Sequence, residues 1–175
     1  PMALYHARKA LLISLLIFTI SALIGSISAL NDSEFVRLIM GDGYVDMTLD
    51  NIAKGTPMAV YDNTSELPMF LFIAINNIRV AFICFAMGIL TSFGTGYMLF
   101  YNGIMIGSFQ TFFYQHALLG ESMLAIWLHG TLEIWSIIVA GAAGIVLGNG
   151  WLFPGTYSRV LDSFLEHKIE NERLK

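Results

Sequence analysis

The sequence predicts an all-α fold: a polytopic transmembrane helix bundle, about four spans in this piece of chain, with short amphipathic interfacial helices in an acidic outer loop. Three observations lead there. Hydrophobic residues fill 56% of the 175 positions and charged residues only 13%, with a mean hydropathy of +0.67, whereas a soluble domain carries about 25% charged residues. A chain of this length folded in water could not hide so much apolar surface, so lipid is expected to cover part of it. The apolar residues also come in runs long enough to cross a ~30 Å hydrocarbon core.

The whole chain, 1–175, reads as a single membrane domain. It opens at Pro1 and closes on a charged, helix-like stretch, and is expected to be a piece of a longer protein. The net charge of -4 gives no basic footprint for nucleic acid. The one cysteine, Cys84, lies in an apolar run; it cannot form a disulfide within the chain and reads as a small apolar filler.

The first span, about 10–30, carries no charge and is interrupted only by Ser14, Thr19, Ser21, Gly25, Ser26 and Ser28. Arg8 and Lys9 precede it as they would a signal peptide, but the run exceeds the ~7–15 apolar residues of such a signal. A retained helix is expected. The outer loop, 31–67, holds Asp32, Glu34, Asp42, Asp46, Asp50, Asp62 and Glu66 against only Arg37 and Lys54. Clusters such as Phe35, Val36, Leu38, Ile39 and Met40 suggest one or two short helices lying on the membrane surface. Asp62-Asn63-Thr64-Ser65 reads as a loop before a helix start, with Pro68 near its first turn.

From Pro68 to Leu119 the chain is mostly apolar, enough for two spans. Thr91-Ser92-Phe93-Gly94-Thr95-Gly96 holds the densest turn signals, and a turn at Gly94 yields spans of about 68–91 and 95–118. A turn at Tyr101-Asn102-Gly103 would leave a third span too short to cross. Gly120-Glu121-Ser122 makes the next loop, and the fourth span runs over about 122–148. Trp151, Phe153 and Tyr157 suit the membrane–water boundary, and Pro154-Gly155 breaks the chain before the tail, 154–175. Arg8 and Lys9 at the head, with Arg159, Lys168, Arg173 and Lys175 in the tail, place both ends in the cytoplasm by the positive-inside rule. The expected location is a bacterial inner (cell) membrane.

Inside these spans lie Asn76, Asn77 and Arg79, then Asn102, then His129 and Glu133. Counted from the outer ends of their spans, Arg79 and Glu133 both sit about 16 Å deep. An unpaired charge there is costly, so an Arg79–Glu133 ion pair is expected, with Asn102 within reach of the same buried polar cluster. His129 and Glu133 are one helical turn apart and share a face, and Gly130 beside them lets another backbone approach. The cluster has a structural reading, locking helices into one register, and a functional one, a proton or ion path or a docking place for a partner helix or lipid head group. Metal chemistry is the third: His129 and Glu133 are candidate ligands with His116, but the HExxH arrangement is absent, so no metal and no cofactor is expected. Nucleophile-elbow, P-loop and dinucleotide glycine patterns are absent as well. Gly103 with Gly107, and Gly141, Gly144 and Gly148, form small-residue faces for packing other helices, within the chain or between copies.

Asn77-Ile78-Arg79, Tyr101-Asn102-Gly103-Ile104-Met105-Ile106-Gly107, His129-Gly130-Thr131-Leu132-Glu133, Ala140-Gly141-Ala142-Ala143-Gly144 and Leu152-Phe153-Pro154-Gly155 occur in this order. Together, over roughly residues 70–160, they resemble the stage II sporulation protein M family of prokaryotic membrane proteins. The resemblance implies a multi-helix membrane protein without established enzymatic activity. It implies that Asn77, Arg79, Asn102, His129 and Glu133 are the recurrent polar residues. In spore formers the namesake works in a membrane complex with peptidoglycan-degrading partners, and members also occur in organisms that make no spores. The acidic loop has no counterpart in that ordered set.

The expectation is a scaffold or membrane-remodelling component of an envelope complex rather than an enzyme. Its partners would be membrane lipids, further copies of itself joined by the small-residue faces, and an envelope protein met by the acidic loop. The alternatives are a transporter or channel with the polar cluster lining its path, and an intramembrane metalloenzyme.

Overall fold

The computed structural model describes the backbone of residues 2–57 and 66–153, and side chains within them except at 2–7, 66–70, 72–73, 125–129 and 151. Among the described residues every regular element is a helix: α1 (Met2–Asn31), α2 (Ser33–Met40), α3 (Asp42–Ala53), α4 (Glu66–Leu90), α5 (Ser92–Gln115) and α6 (Leu119–Leu152). The expected loop at 62–65 and the tail 154–175 lie outside the described residues.

Each break has a local cause. α1 stops at Asn31 because Asp32 takes an extended backbone and its carboxylate accepts the Glu34 N–H at 2.9 Å, starting α2. Gly41 ends α2 with φ 85°, ψ 142°, a conformation open to glycine and strained for other residues. The turn between α4 and α5 is the single residue Thr91, three positions before the expected Gly94. Its backbone is extended and its hydroxyl accepts the Gly94 N–H at 3.2 Å as an N-cap. Gly94 stays helical, and a Cβ there would press on the Met87 carbonyl at 3.0 Å. That glycine serves the fold-back of α5 on α4, not the turn dihedrals. α5 ends in a Schellman motif: Leu118 N–H bonds Phe113 O and Ala117 N–H bonds Tyr114 O, with Ala117 at φ 58°. The loop therefore falls at 116–118, and Gly120-Glu121-Ser122, the expected loop, is the first turn of α6.

Helix directions follow from paired contacts. Gly103 meets Phe18 and Ser21 while Gly107 meets Ala22 and Ser26, so α1 and α5 run the same way. Thr95 meets Gly144, and Leu99 meets Gly141, so α6 runs opposite to α5. Gly88 meets Gly144, and Cys84 Sγ faces Ile137 O, so α4 runs with α6. The α1–α5 contact is the most extensive, followed by α4–α6.

Two helices are long and apolar enough to cross a membrane, Arg8–Asn31 within α1 and Gly130–Gly150 within α6; Ala74–Leu90 of α4 is a shorter apolar helix. Only 28% of the first and 39% of the second is buried inside the protein, whereas the core helix of a soluble domain faces protein on most sides. Leu12, Leu16, Ile20, Leu23, Ile27 and Leu30 are all exposed along one stripe of α1, a contiguous apolar surface that water would not tolerate. α5 is 24 residues long but reads as less apolar because it is the central helix. Its Thr95, Asn102, Ser108 and Thr111 are buried against neighbours.

The interior has two parts. Phe18, Cys84, Leu99, Ile137, Ile138 and Ile145 join all four long helices. At the end where α1 and α5 terminate, Val36 of α2 and Val45 of α3 pack with Ala29, Phe112 and Phe113. Phe109 joins α5 to α3 in this second part, 4.8 Å from the Phe113 ring and 6.3 Å from Tyr44. The α2–α3 hairpin thus caps the bundle, and its buried side meets protein.

Candidate functional site

The interior of the bundle is held by small residues and hydroxyls. A Cβ at Gly25, Gly88, Gly107 or Gly148 would run into the backbone of Ile104, Gly144, Ala22 or Ser92, respectively. Such close approach brings hydroxyls to carbonyls of the neighbouring helix. Ser14 Oγ donates to Ile138 O at 2.7 Å and Thr95 Oγ1 to Cys84 O at 3.0 Å. Ser26 Oγ donates to Gly107 O at 3.2 Å, and Ser108 Oγ to Gly25 O at 3.5 Å. From the sequence, Ser14 and Ser26 read only as interruptions of the first span and Thr95 as part of a turn, and none of these hydroxyls as a helix-joining residue. Their signal was available in the spacing of Ser14, Ser21 and Gly25 on one face of α1.

The expected polar cluster divides. Gly88 against Gly144 and Cys84 against Ile137 place Arg79 level with the Leu132–Trp135 stretch of α6, and so with Glu133, along the bundle. The expected ion pair does not form, and among the described residues no carboxylate pairs with Arg79. The reason is azimuth: the side of α4 bearing Gly88 and Cys84 faces α6, while Asn76 and Arg79 are exposed. Asn77 and Glu133 are half-buried and both engaged in interactions. Asn102 is buried, but its Nδ2 donates to Met98 O one turn back in its own helix, at 2.7 Å. Leu99 against Gly141 puts Asn102 level with Ile138, more than a turn from Glu133. His129 is on α6 one turn before Glu133, and its side chain is outside the described residues.

His116 ends α5 with Nδ1 2.8 Å from Phe112 O. From there Glu133 is about 20 Å further along α6, so His116 cannot join a metal site with it. Among the described residues no three His, Cys, Asp or Glu side chains converge.

Five of the six expected packing glycines lie in contact with neighbouring helices of the same chain. Gly103 and Gly107 fit α1, Gly141 fits Leu99 and Ser14, Gly144 fits α4 and α5, and Gly148 fits Ser92; Gly130 is buried. The faces of Gly103, Gly107, Gly141, Gly144 and Gly148 are filled within the chain.

Two surfaces remain distinctive. On the α2–α3 cap, Arg37 Nη1 bridges Asp46 at 2.8 Å and Asp42 at 3.2 Å. Asp46 and then Asp42 raise the guanidinium pKa above its ordinary value. Glu34, Asp42, Asp46 and Asp50 remain exposed. At the opposite end, Ile13, Ile17, Phe93, Tyr97, Phe100 and Ile145 line an apolar groove of about 520 Å³ between α1, α5 and α6.

Comparison with known proteins gives one positive finding. The family described as Stage II sporulation protein M matches residues 14–170. That range reaches beyond the 70–160 stretch carrying the sequence resemblance, and takes in α1 and the acidic α2–α3 cap. No curated protein and no solved structure matches the chain.

Proposed function

The chain belongs to the stage II sporulation protein M family, a membrane protein of that family, and from this premise we propose that it is a four-span scaffold of a bacterial cell-membrane complex rather than an enzyme. The alternating directions of α1, α4, α5 and α6 support four crossings. With the cations of both ends in the cytoplasm, α1 and α5 run outward, α4 and α6 inward, and the acidic α2–α3 cap faces the envelope.

One observation carries the scaffold reading. The hydroxyls of Ser14, Thr95, Ser26 and Ser108 all donate to helix carbonyls, and they join helices at glycine contacts too close for water. The interior is built to hold helices together, and what projects from it is a rigid anionic cap. An envelope partner offering cations to Glu34, Asp42, Asp46 and Asp50 is the interaction this surface suits.

The test is co-purification from native membranes after mild cross-linking. Wild type should retain an envelope partner that the Asp42→Asn/Asp50→Asn double variant loses, while detergent stability stays unchanged. Proton or ion flux through reconstituted vesicles, abolished by Glu133→Gln, would establish the transporter reading instead.

A further inference from the structure

Arg79 lies midway along α4 and is exposed, with no carboxylate at ion-pair distance among the described residues. On the four-span reading, on which this inference rests, it stands about 16 Å from the Leu90 end of the helix. That is near the bilayer centre and too deep for the side chain to snorkel to a head group. A bare arginine facing hydrocarbon there is strongly disfavoured. The other side of α4 is occupied, because Cys84 and Gly88 seat on Ile137 and Gly144 of α6. Arg79 is therefore on the outward side of its helix, and Asn76 is exposed one turn before it.

The surface around Arg79 has the form of a helix-docking seam. Leu71, Ile75, Ile78, Phe82, Phe85 and Ile89 are exposed along it. Their alternating steps of four and three are the pattern by which one helix lies along another. Arg79 follows directly on Ile78, so it takes the flanking position where charges of paired helices meet and set partner choice. Depth and charge then fix what the occupant must carry. Lipid head groups lie about 15 Å from the bilayer centre and leave the guanidinium unpaired. A second copy cannot supply the anion either. Glu133 is the one carboxylate in the apolar spans of the sequence, and it is engaged in an interaction of its own chain. It also shares a face of α6 with Ile137, the face turned to α4. We infer that the exposed face of α4 is the docking site for a transmembrane helix of a different protein, one carrying an aspartate or glutamate at mid-span as the counter-ion of Arg79. The guanidinium donates two parallel N–H bonds to such a carboxylate, and the pair removes two charges that each oppose insertion alone.

The test puts the photo-activated residue benzoylphenylalanine in place of Phe82, on the seam, in the full chain in its own cell membranes. Leu132, exposed on α6, is the control position. Irradiation should give a discrete adduct from position 82 and not from position 132. The cross-linked peptide should lie in an apolar span of another protein, with Asp or Glu near its middle. Arg79→Glu should reduce the adduct by about tenfold or more. Changing the mid-span carboxylate of the captured helix to Arg should then restore it. A purely structural Arg79 would not show that rescue. The isolated Arg79→Leu chain should unfold in detergent as wild type does, because no carboxylate among the described residues pairs with Arg79.

Adducts with lipid alone, with a second copy, with another segment of the same chain, or with a span that lacks a carboxylate would overturn the inference. So would an adduct that survives Arg79→Glu undiminished. If these results arise while labelling shows four crossings, the docking site falls and the topology stands. Labelling that contradicts four crossings removes the depth argument itself.

Discussion

Substituting Gly107 by alanine perturbs the closest approach in the bundle. A Cβ there would meet Ala22 O, with Ala22 C at 2.8 Å and Ser26 N at 2.9 Å. All three are backbone atoms of α1, so no flexible side chain can yield and the helices must separate. Overpacking of this kind costs about 1–3 kcal/mol. Separation also stretches the bonds from Ser26 Oγ to Gly107 O and from Ser108 Oγ to Gly25 O, each about 0.6 kcal/mol in a membrane protein. Alanine's better helix propensity returns about 1 kcal/mol. The net loss is about 1–3 kcal/mol, measurable by unfolding in detergent micelles of rising SDS fraction, followed by tryptophan fluorescence. Gly96→Ala is the control, because nothing lies within 4 Å of a Cβ at that position in the same helix. It should be neutral, or stabilising by up to about 1 kcal/mol. Equal shifts from the two substitutions would refute the α1–α5 packing.

Three further outcomes follow from the geometry. Gly41→Ala should cost about 1–3 kcal/mol because of its φ of 85°, loosening the α2–α3 cap; unchanged hydrogen exchange in α2 and α3 would count against it. Ala117→Gly should stabilise by about 1 kcal/mol, since Ala117 holds a left-handed conformation that glycine adopts freely; a loss in the same SDS titration would contradict the Schellman assignment. Ser14→Ala removes the hydroxyl joining α1 to Ile138 O and should cost about 0.6–1.7 kcal/mol, whereas an unchanged midpoint would show that this bond contributes nothing.

The long helices were legible because apolar runs and turn residues are local signals. Which residue makes a turn was less so. Gly94 and Gly96 look like turn-formers, yet Thr91 caps the helix and Gly94 serves close approach to Met87. Depth was legible too: a fixed rise per residue puts Arg79 and Glu133 level. Azimuth was not, because the side of α4 that meets α6 is chosen by Cys84 and Gly88 finding Ile137 and Gly144, a long-range match invisible to local counting. Likewise, α2 was readable as amphipathic, with Val36 buried and Leu38 exposed. That its apolar side would meet Phe112 and Phe113 depended on the length of α5.

The surrounding solvent is tested most directly by labelling single cysteines in intact cells with a membrane-impermeant thiol reagent, in a Cys84→Ser background. Asn51→Cys and Gly120→Cys stand at the capped end of the bundle, and Asn149→Cys at the other. Four crossings require the first two to react at once and the third only after the membrane is opened. Equal labelling of positions 120 and 149 in intact cells would mean that α6 does not cross the bilayer.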